Sequence, residues 1–403
     1  MRFQLVLGAV AALFIGSLSS ASETVKLQDP ATNPGFIAFY NDDFDAAIAY
    51  FDQQVKAHPD DAAQYNHLAQ SILFHEMLRD GALESQLVSG NNAFLRRPKM
   101  NIAPETKQRF SDCINKALQL SSSRLKADPR DAAALYSLAV THGLRANYLF
   151  LVEKAWLDSL HEVTAARRLS EEVLRVDPNF IDARLILGLN QYVVGCLPFY
   201  LRVIGSIGGF HGDKRAGISQ LELVSKSGVI NQYDAKIILA AIYRREKCPE
   251  QAIPLLEDLA NRFPRNCLFR FELVQMYSDA GKKEPALQVL AEIDALRRAG
   301  APGYAGIPAE KVDYFKGNLL FWYGDLNVAR THLKQATKNV DELDLNTAVL
   351  AWLRLGQVCD LQGDHQEAIE AYRQTMKTAP QSAAASEAKS YISNPYRRKR
   401  NSA

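Results

Sequence analysis

Two stretches of this chain align with each other from end to end without a gap. They are Tyr233–Pro264, YDAKIILAAIYRREKCPEQAIPLLEDLANRFP, and Val349–Pro380, VLAWLRLGQVCDLQGDHQEAIEAYRQTMKTAP. Both place a small residue at the eighth position (Ala240, Gly356) and alanine at the twentieth (Ala252, Ala368). Both place a large residue at the twenty-fourth (Leu256, Tyr372) and proline at the thirty-second (Pro264, Pro380). A repeat of this size constrains the fold more than any other feature. One unit is too short to bury its own apolar face, so it must stack on its neighbours. Within each unit, apolar residues recur at helical spacing on both sides of a turn. The pattern predicts two antiparallel helices that approach closely at the small residues. The closing proline stops the second helix, because it cannot extend the hydrogen-bond ladder.

The pattern continues in both directions. Cys267–Gly300 keeps Tyr277, Gly281 and Ala286, with Arg298 in place of the proline, and Glu310–Asp341 keeps Gly317, Gly324, Ala329 and Ala336. Upstream, Ala47 with Pro59, Ala117 with Pro129 and Ala166 with Pro178 keep the alanine-to-proline spacing of the two aligned stretches. Leu135, Leu138 and Ala139 fall on first-helix positions. Over most of residues 36–380 the chain resembles the tetratricopeptide repeat (TPR) family, whose period is about 34 residues. The resemblance implies an all-α, right-handed solenoid of helical hairpins. The family is defined by packing positions, so the resemblance brings no catalytic residues with it.

The upstream alanines Ala47, Ala117, Ala166 and Ala216 each stand well over one period from the next. The N-terminal half is therefore expected to be irregular and to contain insertions. Residues 80–104 hold Gly, Asn and Pro in the manner of a loop, and residues 299–308, AGAPGYAGIP, form a second break. The expected organisation is a signal peptide over 1–21 and a flexible segment over 22–35. Irregular hairpins follow over 36–230 and regular repeats over 231–382. A capping helix and a solvated basic tail, with RRKR at 397–400, occupy 383–403.

In the TPR family the first helix of each hairpin lines the concave side. The resemblance implies a partner-binding groove built from Arg244, Arg245, Phe271, Gln275, Tyr314, Asn318, Phe321, Trp322, Leu353 and Gln357. Rings supply contact area and amides satisfy backbone groups, so this set suits a protein or peptide partner. The lysine/asparagine clamp with which some members grip a terminal carboxylate is not found at matching positions.

Composition sets the outer limits. A chain of 403 residues that is 47% hydrophobic and 23% charged has a globular balance. Lys plus Arg is 47 and Asp plus Glu is 45, a net charge of +2. That is no global field for nucleic acid, and no nucleic-acid partner is expected. Residues 1–21 place Arg2 before an apolar run from Phe3 to Ile15, with Ser19 and Ala21 at the small positions of a cleavage site. The run is shorter than the roughly 20 residues of a membrane span. Export is expected, to the periplasm or the outside of a bacterium.

No residue set announces chemistry. His75-Glu76 fails as HExxH because Arg79 stands where the second histidine belongs, and His67 lies two helical turns away. Gly208–Lys214 lacks the Ser or Thr that a phosphate loop needs after its lysine. Asp213 reads instead as a helix cap, and GFHGDKRAG at 209–217 resembles a pattern of secreted bacterial TPR proteins. The five cysteines lack CxxC spacing, which argues against zinc. Cys248 and Cys267 fall at opposite ends of one predicted helix, roughly 20 Å apart, too far for a disulfide. Residues 192–210, YVVGCLPFYLRVIGSIGGF, carry one charge, Arg202. The sequence thus predicts an exported, non-catalytic scaffold without cofactor or metal. One alternative is an envelope module that makes peripheral membrane contact through 192–210. Another is an enzyme with a pocket near His67 and His75 in the N-terminal half.

Overall fold

A computed structural model describes residues 29–81, 83, 99–196 and 212–398. Among them are seventeen α-helices and no strand. They pair into eight hairpins in chain order: α1 (Pro34–Tyr40) with α2 (Phe44–Ala57), α3 (Ala62–Arg79) with α4 (Pro104–Ala127), and α5 (Ala132–Tyr148) with α6 (Trp156–Val176). Next come α7 (Arg184–Gly195) with α8 (Lys214–Ser227), α9 (Gln232–Arg245) with α10 (Pro249–Arg262), and α11 (Cys267–Asp279) with α12 (Lys283–Arg298). The last two are α13 (Ala309–Tyr323) with α14 (Leu326–Ala336), and α15 (Leu345–Leu361) with α16 (His365–Thr378). Helix α17 (Ala383–Ser393) caps the array.

Local chemistry marks these ends. The side chains of Asp43, Asp61, Asp131, Asp213, Asn266, Asp344, Asp364 and Ser382 accept hydrogen bonds from backbone N–H groups in the first turn of the following helix. Those groups have no partner within the helix itself. Inside hairpins six, seven and eight the turn carries glycine in the left-handed region, Gly281, Gly324 and Gly363. Lys247 takes the same conformation in hairpin five, at φ 59°.

The alanine and glycine positions work as contact points. A Cβ placed on Gly356 would lie 2.4 Å from Cε1 of Tyr372, and one on Gly317 would lie 2.7 Å from Cγ of Leu333. Ala47, Ala117, Ala252 and Ala368 are fully buried. The irregular spacing upstream has a simple geometry. The extra residues fall between the two helices of a hairpin: 80–103 in hairpin two, a π turn Leu149–Glu153 in hairpin three, and 196–213 in hairpin four. Stacking from one hairpin to the next is left intact.

The apolar interior divides into three clusters. The largest runs from Leu221 to Ala388. A second joins Phe51, Leu73, Phe110 and Val152 across the first three hairpins, and a third lies around Tyr136, Val173 and Ala183. The largest cluster also takes in Phe39, Tyr40 and Phe44 from the first hairpin, far upstream in sequence. The Tyr40 ring meets Tyr233 edge-on at 5.5 Å and lies tilted against Phe263 at 4.9 Å. Asn266 Nδ2 donates to Tyr40 O (3.0 Å), and Arg265 N donates to Asn41 Oδ1 (2.9 Å). Arg265 pairs with Asp43 at 3.3 Å, and Tyr233 Oη donates to Asp29 Oδ1 at 3.0 Å. The first hairpin is thereby docked on the corners of the fifth and sixth, and the solenoid closes on its own flank.

This corrects two expectations. Residues 29–35 are not a flexible lead. Asp29 caps a 3-10 turn at Pro30–Thr32, Asn33 caps α1, and the segment is fastened to α9. The basic tail is not wholly solvated, because Tyr396 and Arg398 return to the array. Residues 1–28 and 197–211, where the signal segment and most of the apolar stretch 192–210 fall, lie outside the described residues. Cys248 caps the start of α10 and Cys267 opens α11, and all five cysteines are free thiols.

Candidate functional site

The first helices of the last two hairpins, α13 and α15, meet along a face centred on Phe321, Trp322, Arg354 and Asp360. Arg354 organises it. Its Nε donates to Asn318 Oδ1 (2.9 Å) and Nη1 to Gln357 Oε1 (2.6 Å). Its guanidinium lies over two rings, 4.3 Å from the Phe321 centroid and 4.7 Å from that of Trp322. Cation–π contacts of this kind contribute about 0.5–2 kcal/mol each. Both amides are thus spent within the wall, fixing a cation that in turn fixes an aromatic shelf. Phe321 is fully covered, while Trp322 is 52% exposed.

Asp360 is the second fixed group. Its side chain is wholly buried. Oδ1 receives His365 Nδ1 at 2.6 Å, and Oδ2 receives Tyr372 Oη at 2.6 Å. A third donor comes from outside the repeats: Tyr396 N donates to Oδ2 at 2.7 Å. The carboxylate beside His365 holds that imidazole's pKa above its ordinary value.

The segment after α17 lies across this wall. Tyr396 places its ring 5.3 Å from Tyr391 and 6.1 Å from Phe321. Arg398 donates to the carbonyl of Phe321, in the last turn of α13, and sets its guanidinium 4.9 Å from the Phe321 ring. A helix C-terminus carries unsatisfied carbonyls and partial negative charge, so a cation is favoured there. Two guanidinium groups therefore lie close to the Phe321 ring, Arg354 from the wall and Arg398 from the tail.

The ten groove candidates separate by burial. Phe271, Tyr314, Asn318, Phe321, Leu353 and Gln357 are buried. Phe271 packs on Phe315 at 4.5 Å, and Tyr314 packs on Phe315 at 5.4 Å. These six are covered in the folded chain. Arg244 is largely covered and pairs with Glu272 on α11 at 2.7 Å. Gln275 donates to Asp279 at 2.7 Å. Arg245 and Trp322 are exposed. Sequence reasoning missed Arg354, Asp360, Tyr396 and Arg398.

The two histidines do not converge on a catalytic arrangement. His67 lies edge-on to Phe36 at 4.7 Å and beside Phe51 at 5.3 Å, and burial pushes its pKa down to about 4. His75 faces Asp45 and Glu76, each at 3.8 Å. Among the described residues no group of histidine, cysteine and carboxylate side chains is arranged to hold a metal ion, and no helix is long and apolar enough to cross a membrane.

Residues 316–383, which span most of α13 through the start of α17, match the family model described as Tetratricopeptide repeat. No curated protein matches the chain. Among solved structures it is similar to yeast Tom70, at 14% identity and a TM-score of 0.40, over 91% of this chain and 88% of that one. It is also similar to a human IFIT1 dimer with m7Gppp-AAAA, at 13% identity and a TM-score of 0.42, over 90% and 80%. A third is YrrB, described as a TPR protein with an unusual peptide-binding site, at 14% identity and a TM-score of 0.32, over 67% and 97%.

Proposed function

Because the chain carries tetratricopeptide repeats, we propose that it is a non-catalytic scaffold that binds a protein or peptide partner on the wall of its first helices. The observation that carries this reading is Trp322. A large aromatic side chain is held half-exposed in one orientation by a cation stacked on its ring. Aromatic anchors of this kind supply contact area at low entropic cost, because the ring is ordered before a partner arrives. The signal-like segment at 1–21 supports an exported location, with the partner met in the envelope or outside the cell.

The test is a photo-crosslinker at position 322 in the mature protein, incubated with native envelope extract. A discrete adduct is expected, absent when Arg354→Ala lets the neighbouring shelf collapse. Labelling of no protein, or the same labelling in both forms, would sink the reading.

One observation favours a second reading, contact with a lipid surface. Leu189 and Val193 are exposed on one face of α7, where the apolar stretch begins, and Trp156, Leu157 and Leu160 are exposed at the start of α6. Flotation of the mature protein with liposomes, compared with Leu189→Asp/Val193→Asp, decides it. Equal recovery in the lipid fraction, or none in either, removes this reading.

A further inference from the structure

We propose that residues Asn394–Arg398 are a resident pseudo-ligand of the α13/α15 wall, and that the partner entering there carries the same chemistry: an aromatic side chain followed two residues later by arginine. The inference rests on the partner-binding reading of that wall and names what the wall recognises.

Four features carry it. Pro395 separates the segment from α17 and cannot continue a helix, so residues 395–398 meet the wall as irregular chain. The contacts are those a foreign peptide would make. A main-chain N–H reaches a buried carboxylate at Asp360, a ring lies against Tyr391 and Phe321, and a guanidinium caps the C-terminal turn of α13. The main-chain donor to Asp360 does not depend on side-chain identity, so any strand could supply it. The ring and the guanidinium do depend on identity, and they fix the aromatic-x-arginine pattern. Tyr396 is only partly buried, at the edge of the apolar cluster that holds Phe321, and Arg398 is exposed, so the segment lies on the core rather than within it. Its departure uncovers Phe321 and removes one donor from Asp360 Oδ2. Both are restored by an incoming segment of the same kind and by little else. The wall therefore exchanges an internal occupant for an external one.

The probe is a fluorescein-labelled peptide with the sequence of residues 394–399, NPYRRK. Binding is followed by fluorescence anisotropy to the full-length mature protein and to the full-length variant Tyr396→Ala/Arg398→Ala. The variant changes only partly exposed tail residues, and its thermal melt is recorded alongside. At least tenfold tighter binding to the variant is expected, because its wall is vacant. An unlabelled NPARAK peptide is expected not to compete. Equal affinity for the two proteins overturns the proposal, as does absence of binding to a variant whose melt is unchanged. Competition by NPARAK at the same concentration overturns the aromatic-x-arginine assignment. The scaffold reading fails separately. Loss of the adduct at position 322 with peptide binding intact removes that reading alone, and peptide failure with the adduct intact removes this one.

Discussion

Both ends of this chain fold back onto the hairpins, and they do so by different physics. The N-terminal end docks with buried aromatic rings, two side-chain amides and an ion pair, and Tyr40 is only 3% exposed. It shares one apolar cluster with the regular repeats. The C-terminal end docks through one main-chain hydrogen bond, one half-covered ring and one exposed guanidinium. The first contact is part of the fold. The second is a contact the fold can lose. A closed solenoid can thus keep its shape while one section of its wall is freed.

The largest expected effect tests the N-terminal side of that contrast. Tyr40→Ala removes a buried ring that bridges α1 to Tyr233 and Phe263, and is expected to lower stability by about 3–5 kcal/mol. Urea unfolding is expected to split into two transitions as the first hairpin uncouples from the repeats. Tyr396→Ala is expected to cost clearly less, about 1 kcal/mol, because its ring is only partly buried. Equal losses for the two would erase the distinction between the ends.

A pH profile sharpens the same side. Asp234 lies at the start of α9 and hydrogen-bonds to Tyr40. Crowding by protein on all sides pushes its carboxyl up to about 7 from 3.8, although a small part of its surface stays accessible. The folded chain therefore keeps a proton that the unfolded chain has released. Stability from this group is complete below about pH 3.8 and is lost as the pH rises through about 7. A shift of that size corresponds to about 2–4 kcal/mol across the interval. Asp234→Asn is expected to flatten the profile of melting temperature between pH 4 and pH 8. A profile that keeps the wild-type slope would show that the clasp does not hold this proton.

The wall comes next in size. Gly356 leaves room for Tyr372, whose hydroxyl orients Asp360, which in turn holds Tyr396. Gly356→Val is expected to cost about 1–3 kcal/mol through overpacking. It is also expected to raise amide exchange at Tyr396 and at the last turn of α13. Lost stability without faster exchange would mean that Tyr372 does not transmit packing to the tail.

The sequence made these two regions legible to different degrees. The small and large positions at Gly356 and Tyr372, and the small one at Gly317, were readable because each meets its partner within one hairpin. Periodicity carries that kind of contact. Asp213 as a cap was readable for the same reason, since a cap acts within three residues. Neither end's docking was readable. Tyr40 meets Phe263 and Arg398 meets Phe321 at separations that no helical period encodes. Family positions state which face residues such as Phe271, Tyr314 and Leu353 occupy. They do not state what later covers that face.

The smallest expected effect bears on the tail. His365 gives Nδ1 to Asp360 and faces the carbonyl of Ile392 with Nε2, at 3.2 Å. Only the protonated ring donates at both nitrogens. The carboxylate holds its pKa above the ordinary value of 6.5. Its contribution is therefore fully present below about pH 6.5 and is lost as the pH rises through the elevated value. Ile392 lies at the end of α17, two residues before the docked segment begins. A proton on His365 thus tethers the root of the tail, and its loss leaves Asp360 without a charged partner while Tyr396 N remains. Amide exchange at Tyr396, corrected for intrinsic rates, is expected to rise modestly between pH 6 and pH 8. In His365→Gln the same amide is expected to exchange at one corrected rate across that range. A wild-type rate that does not change with pH would place the tail's hold in the ring and the guanidinium alone.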